Sequence, residues 1–405
     1  MNDNLKYKKQ LTIKDLFLGK YGSFFILSII LISSSCVYAY EPFNEIFKYL
    51  TIILFVIILV GYIFYLKLNS FVCLFTIYFL LLVFSTIYNN LSLVTVFHTY
   101  YKTISLILYL DMALRYNCKN VIKNLCYILS LLVFLNFITI ILFPNGMFQG
   151  NYNSLYWFLG YKNIHILYFL PLIICNIIHN KFRKKKISLL FIFNLLMINF
   201  ELLYCFSANS LVTFFIFELY LLFPFIYNKF QLTNARRNYL LYFISFILIV
   251  LIRIQNIFGW FIEQILHKSL TFTGRTFIWD ISMTYINSKK ILGYGVEETE
   301  IIANKFGNIA FTHCHNTILD LTYKGGIISL IIFSIFLYLI VKKLYKTRHY
   351  KISKTLSVAL LGIFLMMLFE ARQASLGFYI IFIICYHIDI IINKLKEGHI
   401  EEKNI

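Results

Sequence analysis

Long, nearly uninterrupted apolar runs recur along this chain and constrain its fold more than any other feature. A helix needs roughly 20 apolar residues to cross a hydrocarbon core of about 30 Å. Mean hydropathy is +0.76 and only 14% of the residues are charged, whereas soluble domains carry about 25%. We therefore predict an all-α polytopic membrane protein with about 12 transmembrane helices, forming one integral membrane domain over 1–405. The runs lie at 22–40, 48–66, 70–88, 93–111, 121–142, 164–180, 187–206, 209–228, 238–256, 326–342, 355–370 and 376–392.

The basic residues set the expected orientation in the membrane. The net charge of +19 could by itself suggest a nucleic-acid partner. However, 26 of the 37 lysines and arginines fall in the termini and alternate loops that share one side, and eight fall on the other side. Cytoplasmic segments carry such an excess of positive charge. We therefore expect both termini in the cytoplasm, basic residues near anionic membrane lipids, and no nucleic-acid partner.

Two of the expected outer loops are long, at 143–163 and 257–325. Long loops in compact proteins are usually either functional or disordered. The second loop is rich in aromatic and apolar residues, which disfavours disorder. We expect 257–325 to be a large extracytoplasmic loop that contains short helices and carries a functional site.

Arg275 is the first candidate residue in this loop. Apolar residues recur at helical spacing after Gly274, so a helix should begin there. We expect it to lie against the bundle or the membrane interface, with Trp279 at the depth of the lipid headgroups. An arginine beside the free N–H groups of a helix start suits a phosphate. The alternative is an arginine that pairs with lipid headgroups or with Asp280.

The segment His313-Cys314-His315-Asn316-Thr317 contains the second candidate, His315. Thr317 and Asp320 stand in a capping-box relation, which predicts a helix start with Asn316 or Thr317 as the cap. His315 would lie just outside this helix, where the dipole favours the neutral imidazole that a general base needs. Asn316 has two interpretations, a structural cap or a catalytic role. A zinc site formed by His313, Cys314 and His315 is a third interpretation of this segment, but three adjacent residues are too compact for tetrahedral ligation alone.

Charged residues inside apolar runs are costly and usually face a cavity or a partner. Lys102 and Arg253 are two such residues, with a structural ion pair as the default interpretation of each. Together with Glu370 and Arg372 in the last outer loop, they indicate a polar cavity that opens outward. Such a cavity would suit an anionic substrate attached to a lipid.

The ordered set Gly274-Arg275, Trp279, Gly293-Tyr294-Gly295, His315-Asn316 and Gly325-Gly326 resembles the O-antigen polymerase/ligase family (Wzy-type). The run from Leu159 to Asn163, which includes Lys162, resembles the glycine–asparagine element of that family. Two departures stand out. The turn at 207–210 lacks the family's arginine, whose role Arg253 could supply, and Lys289-Lys290 replaces a proline.

The resemblance implies a GT-C-like, metal-independent glycosyltransferase without a cofactor, at the outer face of the bacterial cytoplasmic membrane. It would join polysaccharide repeat units carried on undecaprenyl pyrophosphate, in O-antigen or capsule biosynthesis. His315 would accept a proton and Arg275 would stabilise the departing pyrophosphate. Candidate protein partners are a chain-length regulator and a flippase. The residues expected to bind substrate are Arg372, Lys102, Arg253, Asn316, Lys162 and Asn163.

Two alternatives remain open at this point. A ligase of the same family would use the same chemistry to pass the glycan to a different acceptor. A lipid-linked oligosaccharide flippase also has about twelve spans, but transporters typically contain paired halves. No matching halves are evident in this sequence.

Overall fold

The structure, a computed structural model, describes residues 13–32, 41–65, 68–149, 154–258 and 274–400. Helices dominate these residues, and three short strands form one small antiparallel sheet in the order β1-β2-β3. The helices are α1 (Ile13–Leu18), α2 (Lys20–Leu31), α3 (Glu41–Tyr65), α4 (Ser70–Tyr88), α5 (Leu93–Leu142), α6 (Ile166–Phe182), α7 (Leu189–Cys205), α8 (Ala208–Leu222), α9 (Pro224–Lys229), α10 (Ala235–Ser245), α11 (Arg275–Ser288), α12 (Thr299–Phe306), α13 (Thr317–Lys346), α14 (Lys351–Phe369), α15 (Leu376–Tyr386) and α16 (Ile388–Ile400). The strands are β1 (Phe148–Gln149), β2 (Leu155–Trp157) and β3 (Gly160–Tyr161), and single turns of π-helix (Phe246–Leu251) and 3-10 helix (Ile254–Phe258) follow α10.

Helix length and apolarity confirm the predicted class, an all-α membrane protein. Among the described residues, five helices are long and apolar enough to cross a membrane: α3, α4, α5, α13 and α14. The pair α15 and α16, bent by 58°, makes a sixth if it forms one span. Four further apolar helices, α2, α6, α7 and α8, are shorter. The count of about twelve spans therefore stays a prediction, as does the likeness to GT-C enzymes.

Helix α5 is 50 residues long, yet it does not run straight. Its backbone leaves helical geometry at Asn117, where φ is −154° and ψ is 81°. Thr99, before this break, and Leu129, after it, line the same cavity. The helix therefore folds back on itself at Asn117, which agrees with the two separate runs predicted at 93–111 and 121–142.

Hydrogen bonds divide the loops into two groups at opposite ends of the bundle. At one end, which we call the site end, Asn163 joins the loop before α6 to Ser207 (2.7 Å) and to Glu370 (3.5 Å). At the opposite end, Asp111 of α5 accepts hydrogen bonds from Asn69 (2.7 Å) and bonds to His387 (2.7 Å). Every predicted site residue outside the helix interiors belongs to the site end.

The predicted loop 257–325 is largely helical where it is described, and residues 259–273 lie outside the described part. Helix α11 begins at Arg275 after Gly274, which confirms the predicted helix start. Trp279 is 0% exposed and its ring contacts Phe369, so α11 packs against the bundle, one of its two predicted placements. The depth of Trp279 relative to the lipid headgroups stays a prediction.

Candidate active site

Glu370 is the centre of a charged cluster at the site end. Its Oε1 accepts a hydrogen bond from Arg275 Nη2 at 2.7 Å. Its Oε2 lies 3.6 Å from Arg372 Nη2, 3.7 Å from His313 Nε2 and 3.9 Å from His315 Nδ1. Four side chains from three separate segments thus converge on one carboxylate whose side chain is only 3% exposed.

The position of Glu370 follows from the way α13 begins and α14 ends. Asn316 caps α13 by accepting from the Leu319 amide at 3.0 Å, and it donates to the Leu368 carbonyl at 2.8 Å. Thr317 donates to the carbonyl of Glu370 at 2.8 Å. These bonds fix the last turn of α14 beside the first turn of α13, so that Glu370 faces the histidines.

His315 is held in an uncommon backbone conformation, with φ at +47°. Residues other than glycine rarely adopt this region, and they often do so at functional sites. The indole of Trp279 donates to the His315 carbonyl at 3.4 Å, which helps to hold the turn. Burial and the neighbouring His313 lower the pKa of His315 to about 3, and Arg275 and Arg372 act in the same direction. The imidazole is therefore neutral at physiological pH.

Arg275 owes its position to Arg253, a residue far away in sequence. Arg253 donates from Nη2 to the Thr276 carbonyl at 3.2 Å and to Asp280 Oδ1 at 2.7 Å. These bonds hold the first two turns of α11 beside the end of the π-helical segment that follows α10. Asp280 is thus the partner of Arg253, and the predicted alternative of an Arg275–Asp280 pair is wrong. Arg275 pairs with Glu370 instead.

The loop before α6 reaches the cluster through Asn163, which donates to Glu370 Oε1 at 3.5 Å. A buried asparagine, Asn136 of α5, sets this loop by accepting from the Leu159 amide at 2.7 Å and donating to Glu201. Lys162 points away and donates to the carbonyl of Phe206 at 3.3 Å. Asn163 is therefore part of the cluster, whereas Lys162 caps the end of α7.

A cavity of about 340 Å³ opens beside the cluster. Its polar wall includes Arg372, Gln373 and Lys324. The buried carboxylate of Asp320 holds this wall, since it pairs with Lys324 Nζ at 2.6 Å and accepts from Gln373. The rest of the lining is mainly apolar and comes from four helices and the loop before α15, with Leu31, Leu129, Leu167, Leu376 and Ile380 among its members.

The charge balance of the cluster favours an anion. Burial alone would raise the pKa of Glu370, but the neighbouring His313, Arg372 and Arg275 outweigh it and lower that pKa to about 2. One carboxylate therefore faces two guanidinium groups and two imidazoles. Arg372 Nε is buried without a hydrogen-bond partner among the described residues. The site thus holds a net positive charge and an unused donor at the cavity wall.

Six of the eight predicted site residues fall into two groups. Arg275, Arg372, His315 and Asn163 surround Glu370. Arg253 and Asn316 support them through backbone groups, and the side chain of Asn316 is fully buried as the cap. Lys102 lies on α5 beside the ring of Tyr101, at 5.8 Å. Its neighbour Thr103 donates to the Ala374 carbonyl at 2.7 Å, in the loop that carries Arg372.

Glu370 and His313 are the two residues of the cluster that were missing from the predicted site set. In the sequence, Glu370 was noted as an acid near Arg372, and His313 as a member of the disfavoured zinc interpretation with Cys314 and His315. The available signal in the sequence was the two-residue spacing of Glu370 from Arg372 and of His313 from His315. Nothing in the sequence linked the two segments to each other.

Fold and site together define an all-α membrane protein with a buried, positively charged cluster at one end of its helical bundle. No protein-family model matches the chain, and a search of curated proteins finds no significant match. The resemblance to the O-antigen polymerase/ligase family therefore stays a prediction.

Proposed function

We propose that this protein is a polysaccharide polymerase that joins oligosaccharide repeat units carried on undecaprenyl pyrophosphate. The observation that carries the proposal is the arrangement of Arg275, Arg372 and neutral His315 around one carboxylate, with Arg372 also lining an adjacent cavity whose other walls are mainly apolar. A lipid pyrophosphate has the same two parts, a doubly charged headgroup and an apolar chain. The substrate class inferred from the sequence fits this arrangement.

The two arginines would bind the pyrophosphate. Guanidinium groups bind phosphate oxygens through paired hydrogen bonds, and such contacts strengthen where water is excluded. Arg275 stands at the N-terminus of α11, whose backbone N–H groups favour negative charge as well. Glu370 occupies the space between both arginines, so that they are already oriented before substrate arrives.

His315 would accept the proton of the attacking hydroxyl. In the transfer, the acceptor hydroxyl oxygen forms a bond to the anomeric carbon, and the bond from that carbon to the pyrophosphate oxygen breaks. The pyrophosphate leaves with the bonding electron pair, and the hydroxyl proton passes to His315. The neutral imidazole has a free nitrogen lone pair for this proton, and the negative charge of a bound pyrophosphate would raise the pKa of His315 toward the range that a general base needs. The arginines stabilise the charge that develops on the leaving group. Direct displacement would invert the anomeric centre.

The expected orientation supports the proposal, because the site end carries the loops assigned to the outer face. The basic segments 181–186 and 342–354 belong to the opposite, expected cytoplasmic, end. A substrate held in the outer leaflet by its lipid could then enter the cavity between the helices.

The test uses purified protein in proteoliposomes with lipid-linked single repeats, extracted from cells of the source strain that lack this protein. The products are separated on a sizing gel. A ladder of multimers, absent from empty liposomes, is the expected result. Transfer only to an added acceptor lipid without a ladder would indicate a ligase, and movement of unchanged repeats across the vesicle would indicate a transporter. Either outcome would overturn the proposal.

A further inference from the structure

His313, His315 and Glu370 each offer one atom that could bind a metal ion, and these atoms lie within 4.8 Å of one another. The two histidine nitrogens lie 3.7 and 3.9 Å from Glu370 Oε2. Ligand atoms that share a tetrahedral zinc ion at about 2.0–2.1 Å lie roughly 3.4 Å apart. Shifts of a few tenths of an ångström would bring both nitrogens to that separation from Oε2.

The ligand atoms are available for a cation. His313 Nε2 and His315 Nδ1 are both buried without a hydrogen-bond partner among the described residues. Buried polar atoms without partners are costly and call for an explanation. The other nitrogen of His313, Nδ1, lies 3.2 Å from Thr312 Oγ1, an outer contact of the kind that orients a metal-bound imidazole.

The two oxygens of Glu370 have separate environments. Oε1 is used by Arg275 and Asn163, at 2.7 and 3.5 Å, whereas Oε2 faces the two histidines. A cation on Oε2 therefore leaves the Arg275 pair intact, and that pair orients the carboxylate. Arg372, 3.6 Å from Oε2, would have to withdraw, and its withdrawal removes the net positive charge by which the cluster otherwise favours an anion.

We propose that His313, His315 and Glu370 bind a divalent cation of the zinc class, with a fourth position left to water. Two imidazoles and one carboxylate suit zinc, whereas magnesium and calcium prefer oxygen ligands alone. The regulatory part of the inference rests on the proposed function. A bound cation takes the nitrogen of His315 that faces the cluster, so zinc inhibits the transfer by removing the proton acceptor.

The binding test does not depend on activity. Full-length protein without a polyhistidine tag is titrated in detergent with Co²⁺, a zinc surrogate whose visible absorption intensifies in tetrahedral geometry. Wild type should bind one equivalent that Zn²⁺ displaces. His313→Ala, His315→Ala and Glu370→Gln should each lose the absorption, while His349→Ala, which removes an exposed histidine outside the cluster, should retain it. Absence of binding in wild type, or unchanged binding in the three variants, would overturn the site.

Arg372→Gln provides a second measurement, because the tighter binding expected of this variant could not result from misfolding. Removing this positive charge should tighten Co²⁺ binding severalfold, because the arginine and the cation compete for Oε2. Weaker or unchanged binding in Arg372→Gln would contradict the placement of the cation.

Zinc inhibition is tested in the multimer-ladder assay. Zn²⁺ should suppress the ladder of wild type, whereas the residual activity of His313→Ala should be insensitive to zinc. Equal inhibition of both proteins would overturn the regulatory role. If wild type binds cobalt but forms no ladder, the proposed function fails and the metal site stands; if it forms a ladder but binds no cobalt, the reverse holds.

Discussion

At the scale of single residues, Glu370 explains why the site has its shape. A buried carboxylate is costly unless it is paired and hydrogen-bonded. Here the partners come from the start of α11, from the loop before α13 and from the loop after α14, so that one charge holds three segments together. The same charge keeps Arg275 and Arg372 oriented beside the cavity.

The pairing of Glu370 with Arg275 predicts strong coupling between the two residues. Glu370→Gln should destabilise the protein, since it leaves a partly buried guanidinium without its counter-charge. Arg275→Gln should cost much less in a Glu370→Gln background than in wild type, with a coupling energy of about 1–3 kcal/mol. Reversible unfolding of the two single variants and the double variant in mixed detergent measures this energy. Additive effects would show that the 2.7 Å contact is not an energetic pair.

Sequence reasoning found the cationic half of this cluster and missed the anionic half. Arg275 and His315 were recognisable because each precedes a helix in a long loop. Glu370 could not be assigned, because its partners lie 95 residues away in Arg275 and 55 residues away in His315. Its role depends on how α13 packs against α14, and no local pattern encodes that packing.

At the scale of elements, the turn at Gly293-Tyr294-Gly295 docks into the break of α13 at Gly325 and Gly326. The amide of Tyr294 donates to the Tyr323 carbonyl at 2.7 Å, and that of Gly295 donates to the Lys324 carbonyl at 2.8 Å. Two motifs that looked independent in the sequence thus form one contact. It ties the loop after α11 to the helix that carries Asp320 and Lys324.

Gly326 is the residue of this contact that should tolerate a side chain least. Its φ is +65° and ψ is −168°, and an added Cβ would lie 1.9 Å from the Ile291 carbonyl oxygen. Gly326→Ala should therefore destabilise the protein by at least about 3 kcal/mol. Gly307→Ala is the matched control, because its φ is +73° but no atom lies within 4 Å of an added Cβ.

The control should lose only about 1–2 kcal/mol, the usual penalty for a left-handed residue. Thermal unfolding followed by tryptophan fluorescence compares the two variants. Equal destabilisation would mean that close docking of the turn contributes little.

The position of α11 depends on Arg253, which predicts an effect of this residue on activity. Arg253→Gln removes the contacts with the Thr276 carbonyl and with Asp280, so that Arg275 loses its fixed position. We expect a clear loss of ladder formation. Asp280→Asn should have a smaller effect, because Asp280 is 64% exposed and Arg253 keeps its bonds to backbone carbonyls. An equal loss in both variants would assign the effect to the surface ion pair.

The helices themselves were easier to predict than their contacts. Where they are described, the predicted runs coincide in large part with helix, since twenty apolar residues leave few alternatives to a buried helix. Residues 33–40 of the run predicted at 22–40 lie outside the described part of the chain. The breaks at Asn117 and at Gly325-Gly326 differ in how clearly the sequence signals them. The glycine pair stands where the predicted run at 326–342 begins, whereas Asn117 carries no comparable signal, and only the charges at Arg115 and Lys119 separate the runs at 93–111 and 121–142.

At the scale of the whole molecule, the proposed polymerase function requires the site end to face outward. Most described cysteines are buried, so single new cysteines can report accessibility. Ala310→Cys, exposed near the cluster, should react with a membrane-impermeant maleimide in intact cells. Lys185→Cys, exposed at the opposite end, should react only after permeabilisation. The reverse pattern would place the cluster in the cytoplasm and exclude an outer-leaflet substrate.

The multimer-ladder assay with site variants tests whether the Glu370 cluster carries out the proposed glycosyl transfer. Arg275→Ala and His315→Ala should each reduce ladder formation by roughly 100-fold or more, while both proteins remain inserted in the membrane. Arg237→Ala, which removes an exposed arginine at the opposite end, should form a normal ladder. Normal ladders from both site variants would contradict the account.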